Sequence, residues 1–565
     1  MTVMTVVTDP PAIESQPEPV RGAFYGDDWW QHGVVYQIYP RSFADTDGDG
    51  VGDLPGIIDR LGYLEELGVD AIWLSPVYPS PGLDSGYDIS DHTSVDRLFG
   101  TEADFDRLVA EAHRRGMRVV LDLVMNHTSD RHPWFEASRA SRDGPFADWY
   151  LWGDPIGYDA DGRPIPPNNW LSYFGGSAWQ WVESRRQFYM HTFLVEQPEL
   201  NWRQRAVEAE QFRMVRGWLD RGVDGFRLDV FNAFLKHPDL LANPVRQGVT
   251  PWDRQDHVHD RDAPDFPELL ARFRAIVDER PGRMSVGELF ASEPERAAAL
   301  VADRHLVFDW GLLAAPWSAA AFGAAIDTRE ENFGDGRWLA NVLSNHDQSR
   351  QATRLAASAG VADTDAVARA AAVALLTLRG TPFLYYGEEL GLADVPVPDE
   401  EIVDPPARRA LVDPDFTWWN RDQCRSPMPW TAETGHGFTT GQPWLRFGDD
   451  AGTRHVAGER SDPGSVLSTY QRLIAMRRRS VALRSGALRR VDCANPEVIA
   501  WYRETPSERV VVVMNFAASP CQAEVPGIVD DGWRAIGGTH LEPTVPGPDG
   551  LLGLRVLEAV VLAPA

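Results

Sequence analysis

The chain has 565 residues, which is too long for one hydrophobic core and predicts three or four domain-sized units. Hydrophobic residues make up 43% and charged residues 24%, ordinary globular values that exclude a disordered or fibrous protein. Acidic residues outnumber basic ones by 83 to 54, giving a net charge of −29. Because such a charge repels phosphate groups, nucleic acid and membrane surfaces are excluded as partners, and we expect a soluble protein acting on neutral or cationic small molecules.

The cellular location is predicted from three features of the sequence. Cys424, Cys493 and Cys521 are too few and too scattered for a disulfide framework, which favours a reducing compartment. Residues 1–27 are predicted to be a disordered-like leader, with several prolines and without the basic start and apolar stretch of a secretory signal. No run of 18 uninterrupted apolar residues predicts a membrane span. The sequence therefore predicts a cytoplasmic protein.

Short apolar runs alternate with amphipathic segments over most of the chain. Eight runs are predicted to be strands, at residues 34–39, 71–74, 118–125, 225–229, 283–288, 306–309, 342–345 and 383–387. Helices are predicted between them, at residues 57–67, 102–115, 202–220, 267–279, 319–327 and 364–378. This alternation is typical of parallel βαβ units, and eight strands predict an α/β fold of the TIM-barrel type, (β/α)8.

Two long segments interrupt this alternation. Residues 126–196 are rich in Trp, Pro, Gly and Asn and lack a sustained helical period, so they predict an inserted small domain or an active-site cover. Residues 393–448 form a second excursion rich in Pro and Asp. A predicted helix at residues 465–478 leads to a tail, from about residue 485, whose alternating apolar and polar residues predict a small antiparallel β-domain.

Polar residues cluster where the predicted strands end. They are Asp122, Asn126, His127, Arg227, Asp229, Glu288, His346 and Asp347. Any one of them alone is more simply explained as a helix cap or a solvated charge. Because a barrel brings the carboxyl ends of its strands around one mouth, the set together predicts a cavity with several carboxylates, two histidines and an arginine.

Such a group of carboxylates suits cleavage of a glycosidic bond, in which one acts as nucleophile and another as acid/base. Arg227 lies two residues before Asp229, on the same face of a strand, and keeps this carboxylate ionised. Glu288 on the next strand is expected to have a raised pKa and to protonate the leaving oxygen. Asp347, next to His346, is expected to bind sugar hydroxyls in the transition state.

Metal-dependent hydrolysis through His127 and His346 is the competing chemistry. No H-x-x-x-H pattern occurs, and the close pair His257 and His259 lies away from the strand ends. Arg227 at the centre would also repel a divalent ion. The sequence therefore favours the carboxylate mechanism.

Four segments resemble the signature segments of the α-amylase superfamily, glycoside hydrolase family 13. They are DLVMNH at residues 122–127, GFRLD at 225–229, GEL at 287–289 and SNHD at 344–347. The resemblance implies a retaining double displacement with Asp229 as nucleophile, Glu288 as acid/base and Asp347 as transition-state stabiliser. It also implies that the −1 subsite is lined by His127, Arg227 and His346.

The resemblance extends from about residue 28 to the end of the chain and implies three domains. Domain A, the catalytic (β/α)8 barrel, takes residues 28–126 and 197–484. Domain B, residues 127–196, is inserted after the third strand. Domain C, residues 485–565, is a C-terminal antiparallel β-sandwich.

Two further segments are similar to the branch that contains α-glucosidases and oligo-1,6-glucosidases. QPELN at residues 197–201 is similar to the QPDLN of that branch, with Glu199 in place of the usual Asp. Val230, directly after the nucleophile, resembles members that accept α-1,6 bonds. We leave the linkage open because this correlation is weak.

The same branch predicts a closed sugar pocket. DSGYD at residues 84–88 matches the segment that holds the terminal glucose, with Asp84 on its hydroxyls and Tyr87 stacking on the ring. CRSPMPW at residues 424–430 resembles the RTPMQW segment, which implies that Arg425 lies beside Asp84 and closes the pocket. A pocket closed at the non-reducing end admits one sugar and predicts exo action.

A metal site is predicted in DTDGDGVGD, residues 45–53, whose carboxylates recur at a spacing that suits Ca²⁺ or Mg²⁺. Gly56 at the twelfth position excludes an EF-hand, and an acidic turn is the alternative. No organic cofactor is expected. In the resembled branch this loop binds one structural Ca²⁺, which implies as ligands Asp45, Asp47, Asp49, the Val51 carbonyl and Asp53.

These observations predict a retaining exo-α-glucosidase that releases glucose from short α-glucosides such as maltose, isomaltose or sucrose, as a monomer or homodimer. An oligo-1,6-glucosidase, a transglucosylase, a sucrose isomerase and a trehalose synthase could use the same site, and no RLDRD-like acceptor segment occurs between Asp327 and Asn341. A non-catalytic binding relative is disfavoured because the three carboxylates are complete and no membrane anchor is predicted.

Overall fold

The computed structural model describes residues 26–289, 298–299, 305–334 and 337–565. Of the predicted leader, residues 1–25 lie outside the described residues. Over the described ranges, none of the helices is long and apolar enough to cross a membrane.

The described residues contain the following strands, numbered β1 to β20: Val35–Ile38, Ala71–Leu74, Arg118–Leu123, Trp152–Gly153, Gly157–Tyr158, Pro164–Ile165, Trp179–Val182, Gln187–Met190, Gly225–Leu228, Met284–Gly287, Leu306–Phe308, Leu339–Val342, Thr381–Tyr385, Ala487–Val491, Val498–Glu504, Arg509–Asn515, Cys521–Ala523, Trp533–Gly538, Leu552–Leu554 and Ala559–Pro564. The α-helices, numbered α1 to α14, are Trp29–His32, Leu54–Leu67, Glu102–Arg114, Pro133–Ala140, Arg205–Asp220, Phe266–Val277, Trp310–Ala314, Ala319–Phe333, Gln351–Ala359, Thr364–Thr377, Pro405–Ala410, Val456–Arg460, Val466–Arg479 and Val481–Ser485.

Eight parallel strands close into a barrel, which confirms the predicted TIM-barrel fold. Around the barrel the order is β1, β2, β3, β9, β10, β11, β12 and β13. The last strand pairs with the first, Phe383 opposite Val35, so no edge is left open. The carboxyl ends of all eight strands therefore point to the same mouth.

Local signals fix where the first barrel helices begin and end. Helix α2 starts after Asp53, whose side chain accepts a 2.7 Å hydrogen bond from the Gly56 N–H, and it ends at Gly68 with φ 99°. Helix α3 begins with a capping box between Thr101 and Asp104. These caps explain why the helices could be predicted to within a few residues.

The last two barrel strands begin earlier than predicted. Strand β12 runs from Leu339 to Val342 rather than over 342–345, and β13 starts at Thr381 rather than at 383. The start of β12 was missed because the strand contains the polar Asn341. This side chain is fully buried and accepts a 2.9 Å hydrogen bond from Arg329. Pro382 hid the start of the second, since proline is unusual inside a sheet. His346 and Asp347 consequently lie on the loop after β12 and not in the strand.

The insertion after β3 contains strands β4 to β8 and one helix. Strands β4, β8 and β7 form a three-stranded antiparallel sheet, and β5 pairs with β6. The sequence predicted no sustained helix here, but α4 forms over eight residues, with Pro133 at its start and the His132 ring accepting from the Trp134 N–H. Helix α9 was likewise not predicted.

The tail folds as two packed antiparallel layers. One sheet has five strands in the order β14, β15, β16, β20 and β18, and the other pairs β17 with β19. Apolar side chains from both layers, among them Val513, Val560 and Leu552, share one buried core. This arrangement agrees with the predicted C-terminal β-sandwich.

A buried charge network lies at the opposite end of the barrel, just before β9. The fully buried carboxylate of Asp224 accepts hydrogen bonds from the Val119 N–H at 2.9 Å, from His113 at 2.6 Å and from Arg118 at 3.1 Å, and it also pairs with Arg283. Burial alone would raise the pKa of Asp224, but the hydrogen bond and charge of His113 and the charge of Arg283 lower it below its usual value.

We expect Asp224→Asn to reduce the free energy of unfolding at pH 7 by about 1–3 kcal/mol, because it leaves the partly exposed Arg118 and Arg283 without their partner. A carboxylate with a lowered pKa stabilises the fold above its unfolded pKa and loses this effect as the pH falls. The difference between wild type and variant should be constant down to about pH 5 and shrink below about pH 4 in urea unfolding curves. A constant difference down to pH 3 would contradict this assignment.

Candidate active site

The mouth of the barrel holds a cavity of about 280 Å³ at the carboxyl ends of the strands. Its wall combines charged and aromatic side chains. The lining residues are Asp84, Tyr87, His127, Tyr173, Phe174, Phe193, Asp229, Val230, Glu288, Leu289, Trp310, Asp347, Gln348, Trp418 and Arg421. The cavity thus contains all three carboxylates that the sequence assigned to bond cleavage.

Arg227 occupies the centre of the site and binds three carboxylates from three strands. Its Nη1 donates to Asp122 Oδ1 at 2.8 Å and to Asp229 Oδ1 at 2.6 Å, and its Nη2 pairs with Glu288. The arginine side chain is only 1% exposed. One guanidinium therefore holds Asp229 and Glu288 on its two nitrogens, facing the same cavity.

The single positive charge of Arg227 does not neutralise three carboxylates, and this imbalance raises the pKa values of two of the carboxyl groups. Burial and the charges of Asp229 and Asp347 raise the pKa of Glu288 to about 8, against the effect of Arg227. Burial and the charge of Asp229 raise the pKa of Asp122 to about 7. At neutral pH the group therefore holds a proton on Glu288, beside the Asp229 carboxylate.

Asp347, in contrast to Glu288, is ionised. Burial would raise the pKa of its carboxyl, but His346, Arg421 and Arg425 more than offset this and lower the pKa far below its usual value. Arg425 Nη2 donates to Asp347 Oδ1 at 2.7 Å, and Arg421 Nη1 donates to the same oxygen at 3.2 Å. Asp347 is therefore an anion fixed by two cations.

His346 is neutral, because burial and the nearby arginines lower its pKa to about 3. Gln37 donates a 2.9 Å hydrogen bond to Nδ1, so the ring proton lies on Nε2, which is 3.3 Å from Asp347 Oδ2. Tyr87 stacks on the histidine ring with centroids 5.2 Å apart and donates from its hydroxyl to Asp122 at 2.9 Å. His346 is thus a hydrogen-bond donor held rigidly at the site.

The predicted partner of Asp84 is wrong. Arg421, not Arg425, donates to Asp84 Oδ1 at 2.8 Å, and it also binds Asp404 at 2.7 Å. Arg425 instead binds Asp347 and donates from Nε to the His346 carbonyl at 2.8 Å. Both arginines lie in or next to the short helical turn Arg421–Cys424, so sequence spacing could not tell which one reaches Asp84.

Several side chains of the site were missed as binding residues. Gln197 donates to Asp84 Oδ2 at 3.1 Å, and Asp404 holds Arg421. Phe174 and Trp418 pack edge to face, 5.1 Å apart, in the cavity wall. The glutamine lies inside the QPELN segment, but no sequence signal pointed to Asp404 or to the aromatic wall.

Val230, directly after Asp229, has an unusual backbone. Its φ of 35° and ψ of 40° are left-handed, which is strained for a β-branched residue. The side chain is buried and packs with Phe174 and Phe193 in one cluster. The residue that the sequence linked to substrate preference therefore lies in the cavity wall, as part of the turn that follows the Asp229 carboxylate.

The predicted metal loop brings three carboxylates together. One oxygen from each of Asp45, Asp47 and Asp49 lies within 4.8 Å of the others, and the aspartates are exposed or half-buried. Three hard oxygen ligands fit Ca²⁺. Asp53 caps helix α2 through Oδ1 and accepts from the Thr46 N–H at 2.9 Å through Oδ2. The coordination by Asp53 and by the Val51 carbonyl stays a prediction.

The chain is similar to one known family and to several named proteins. The family model described as alpha amylase, catalytic domain, matches residues 37–486. A probable alpha-glucosidase of Rhizobium meliloti (strain 1021) is 41% identical over 88% of this chain and 91% of that protein. An oligo-1,6-glucosidase of Heyndrickxia coagulans is 36% identical over 91% of this chain and 96% of that protein.

Solved structures agree with this relationship. The alpha-glucosyl transfer enzyme XgtA superposes with a TM-score of 0.87 and 40% identity, covering 95% of this chain and 99% of that one. An isomaltulose synthase from Erwinia rhapontici NX5, solved with sucrose, superposes with a TM-score of 0.84 and 30% identity over the same shares. The chain therefore belongs to the α-amylase family, glycoside hydrolase family 13.

Proposed function

We propose that this protein is a retaining α-glucosidase that removes glucose from the non-reducing end of short α-glucosides. The observation that carries the proposal is the position of Asp229 and Glu288 on one buried guanidinium, in one cavity, with the proton on Glu288. The relatives named alpha-glucosidase and oligo-1,6-glucosidase support this assignment.

In the first step an Asp229 oxygen attacks the anomeric carbon of the sugar. The bond from this carbon to the leaving oxygen breaks, and that oxygen takes the proton of Glu288. Arg227 Nη1 holds the Asp229 carboxyl in place with a 2.6 Å hydrogen bond to Oδ1. Once Asp229 is esterified, its negative charge disappears, and with it one of the causes that raise the pKa of Glu288.

In the second step the Glu288 carboxylate takes a proton from water, whose oxygen attacks the anomeric carbon and releases Asp229. Positive charge develops on the sugar ring in both transition states, close to the fixed anion of Asp347. The Nε2 proton of His346 is available to a sugar hydroxyl. Two inversions at the same carbon give net retention.

The small volume of the cavity favours short substrates. A cavity of about 280 Å³ lies just below the usual volume range of ligand pockets, roughly 300–1,000 Å³. The buried pair Asp84–Arg421 and the amide of Gln197 offer hydrogen-bonding groups to the terminal sugar. We propose exo action on this basis and, as the sequence predicts, a cytoplasmic enzyme.

Glucosyl transfer to another sugar is the second candidate function. The similarity to an alpha-glucosyl transfer enzyme and to an isomaltulose synthase favours it, and so does the aromatic wall, which can shield the glucosyl intermediate from water. Both functions share the first step, so they differ only in whether water or a sugar hydroxyl accepts the glucosyl group.

The deciding measurement compares kcat/KM on maltose, isomaltose, sucrose, trehalose and an aryl α-glucoside, with product analysis. We expect free glucose as the main product, and Asp229→Ala should reduce turnover by at least about 10³-fold while the protein stays folded. Sucrose converted mainly to an isomer would favour the transfer function. Near-normal hydrolysis by the variant would remove the basis of the mechanism.

The acid/base role predicts a pH profile. Since Glu288 must be protonated in the first step and has a pKa near 8, kcat/KM should be level at neutral pH and fall as the pH rises through about 8. Glu288→Gln should abolish this alkaline limb. It should also slow maltose cleavage far more than the first step on a nitrophenyl glucoside, whose leaving group needs little protonation. An unchanged alkaline limb in the variant would assign the pH dependence to another group.

We also propose that Ca²⁺ binds the loop of Asp45, Asp47 and Asp49 and stabilises it. This loop packs against the segment 439–444, where Thr439 donates to Asp45 and the Trp444 N–H donates to the Gly50 carbonyl at 3.0 Å. An ion there would stiffen the contact between the first βα loop and the excursion after β13. It takes no part in bond cleavage.

Ca²⁺ at about one hundred times its Kd should raise the free energy of unfolding by about 2.7 kcal/mol over that in a chelator. Asp47→Asn should remove most of this gain, whereas Asp492→Asn, at a side chain that is 91% exposed, should leave it intact. Thermal unfolding with EDTA, Ca²⁺ or Mg²⁺ measures the effect. Equal melting temperatures in all three would rule out the ion.

A further inference from the structure

Residues 199–203 lie between two loops of the site. The loop after β3 carries His127, and the loop after β9 follows Asp229. Glu199 Oε2 and Lys236 Nζ are 2.8 Å apart, and both side chains are 1% exposed. Breaking a buried ion pair of this kind leaves an unpaired charge. Neither residue lines the cavity.

At one end of the pair, Glu199 fixes the neighbourhood of His127. Its Oε1 accepts from Asn126 Nδ2 at 2.7 Å and from the Thr192 N–H at 3.1 Å. Asn126 Nδ2 also lies 3.3 Å from His127 Nδ1. The other ring nitrogen, Nε2, lies 3.1 Å from the Tyr87 carbonyl and 3.2 Å from Gln197 Nε2, at the edge of the cavity.

At the other end, Lys236 holds the turn that follows Asp229. Its Nζ donates to the Ala233 carbonyl, which ends the helical turn Phe231–Ala233. Arg203 donates twice to the Lys236 carbonyl, at 3.0 and 2.7 Å. The turn begins at Val230, whose strained backbone needs surrounding contacts to persist.

Aromatic packing holds the same two loops together. The ring of Trp202 stacks on Phe234 with centroids 4.9 Å apart and an angle of 2°. Its Nε1 donates to the Met125 carbonyl at 2.8 Å. The ion pair thus lies inside a rigid bridge between the two loops.

We propose that Glu199 and Lys236 are a pair of positioning residues, which orient His127 and the turn after Asp229 relative to each other. This inference rests on the proposed function, because it assigns the two residues an effect on sugar binding and on attack by Asp229. Glu199 stands where the resembled branch has Asp, so the longer arm reaches Lys236 and Asn126 at once.

The pair can be removed without leaving a buried charge in the double variant Glu199→Leu/Lys236→Met. Apolar residues of similar volume often restore the stability that a broken pair loses. We expect a lower melting temperature, because the Thr192 N–H and the Ala233 carbonyl lose their partners, and a kcat/KM for an aryl α-glucoside at least tenfold lower. The binding of D-glucose, measured by calorimetry, should weaken at least threefold because His127 is no longer oriented.

Asp224→Asn is the matched control, because it breaks a buried ion network at the far end of the barrel. It should lower stability and leave kcat/KM and glucose binding unchanged. Asn126→Ala keeps the ion pair and cuts its link to His127, so it should weaken glucose binding to the same degree as the double variant.

Wild-type kcat/KM and glucose binding in the double variant and in Asn126→Ala would overturn the inference. If the double variant does not fold, Asn126→Ala decides alone. Absence of turnover by the wild-type enzyme on every α-glucoside would instead refute the proposed function, and glucose binding would then still test the pair.

Discussion

The site depends on one buried cation between three carboxylates. Arg227 meets Asp122, Asp229 and Glu288, each from a different barrel strand, in a place with almost no access to water. One positive charge cannot keep three buried carboxyls ionised, so a proton must remain in the group. The barrel thereby provides an anion and an acid side by side.

The remaining charges extend this arrangement along the cavity. Asp347 and Asp84 share Arg421, while Asp347 also binds Arg425, so the anions at this end of the cavity each face a cation. Together with Asp404, which also binds Arg421, this cluster places three carboxylates around two guanidinium groups, so it has more positive charge than the group around Arg227, and Asp347 stays ionised. The difference in positive charge between the two clusters separates the group that exchanges a proton from the group that holds a fixed charge.

The sequence was sufficient for the barrel, because eight apolar runs and their glycine-terminated helices are local signals. It was also sufficient to place the carboxylates at one mouth, since strand ends converge in this fold. It could not distinguish Arg421 from Arg425, because the contact with Asp84 joins segments 337 residues apart. It did not reveal Asp404 either, because this residue lies in an irregular excursion without a repeating pattern. The start of β12 was also predicted too late, because the strand contains the polar Asn341, whose hydrogen-bond partner Arg329 lies on another element.

Barrel closure has a consequence for biosynthesis. Strand β1 pairs with β2 and with β13, and the latter pairing joins Val35 to Phe383. During translation the first strand therefore keeps one unpaired edge until most of the polypeptide has left the ribosome. Contacts of such long sequence separation also slow folding. The nascent chain must be protected from aggregation for much of its synthesis, and chaperones are the cellular means of doing so.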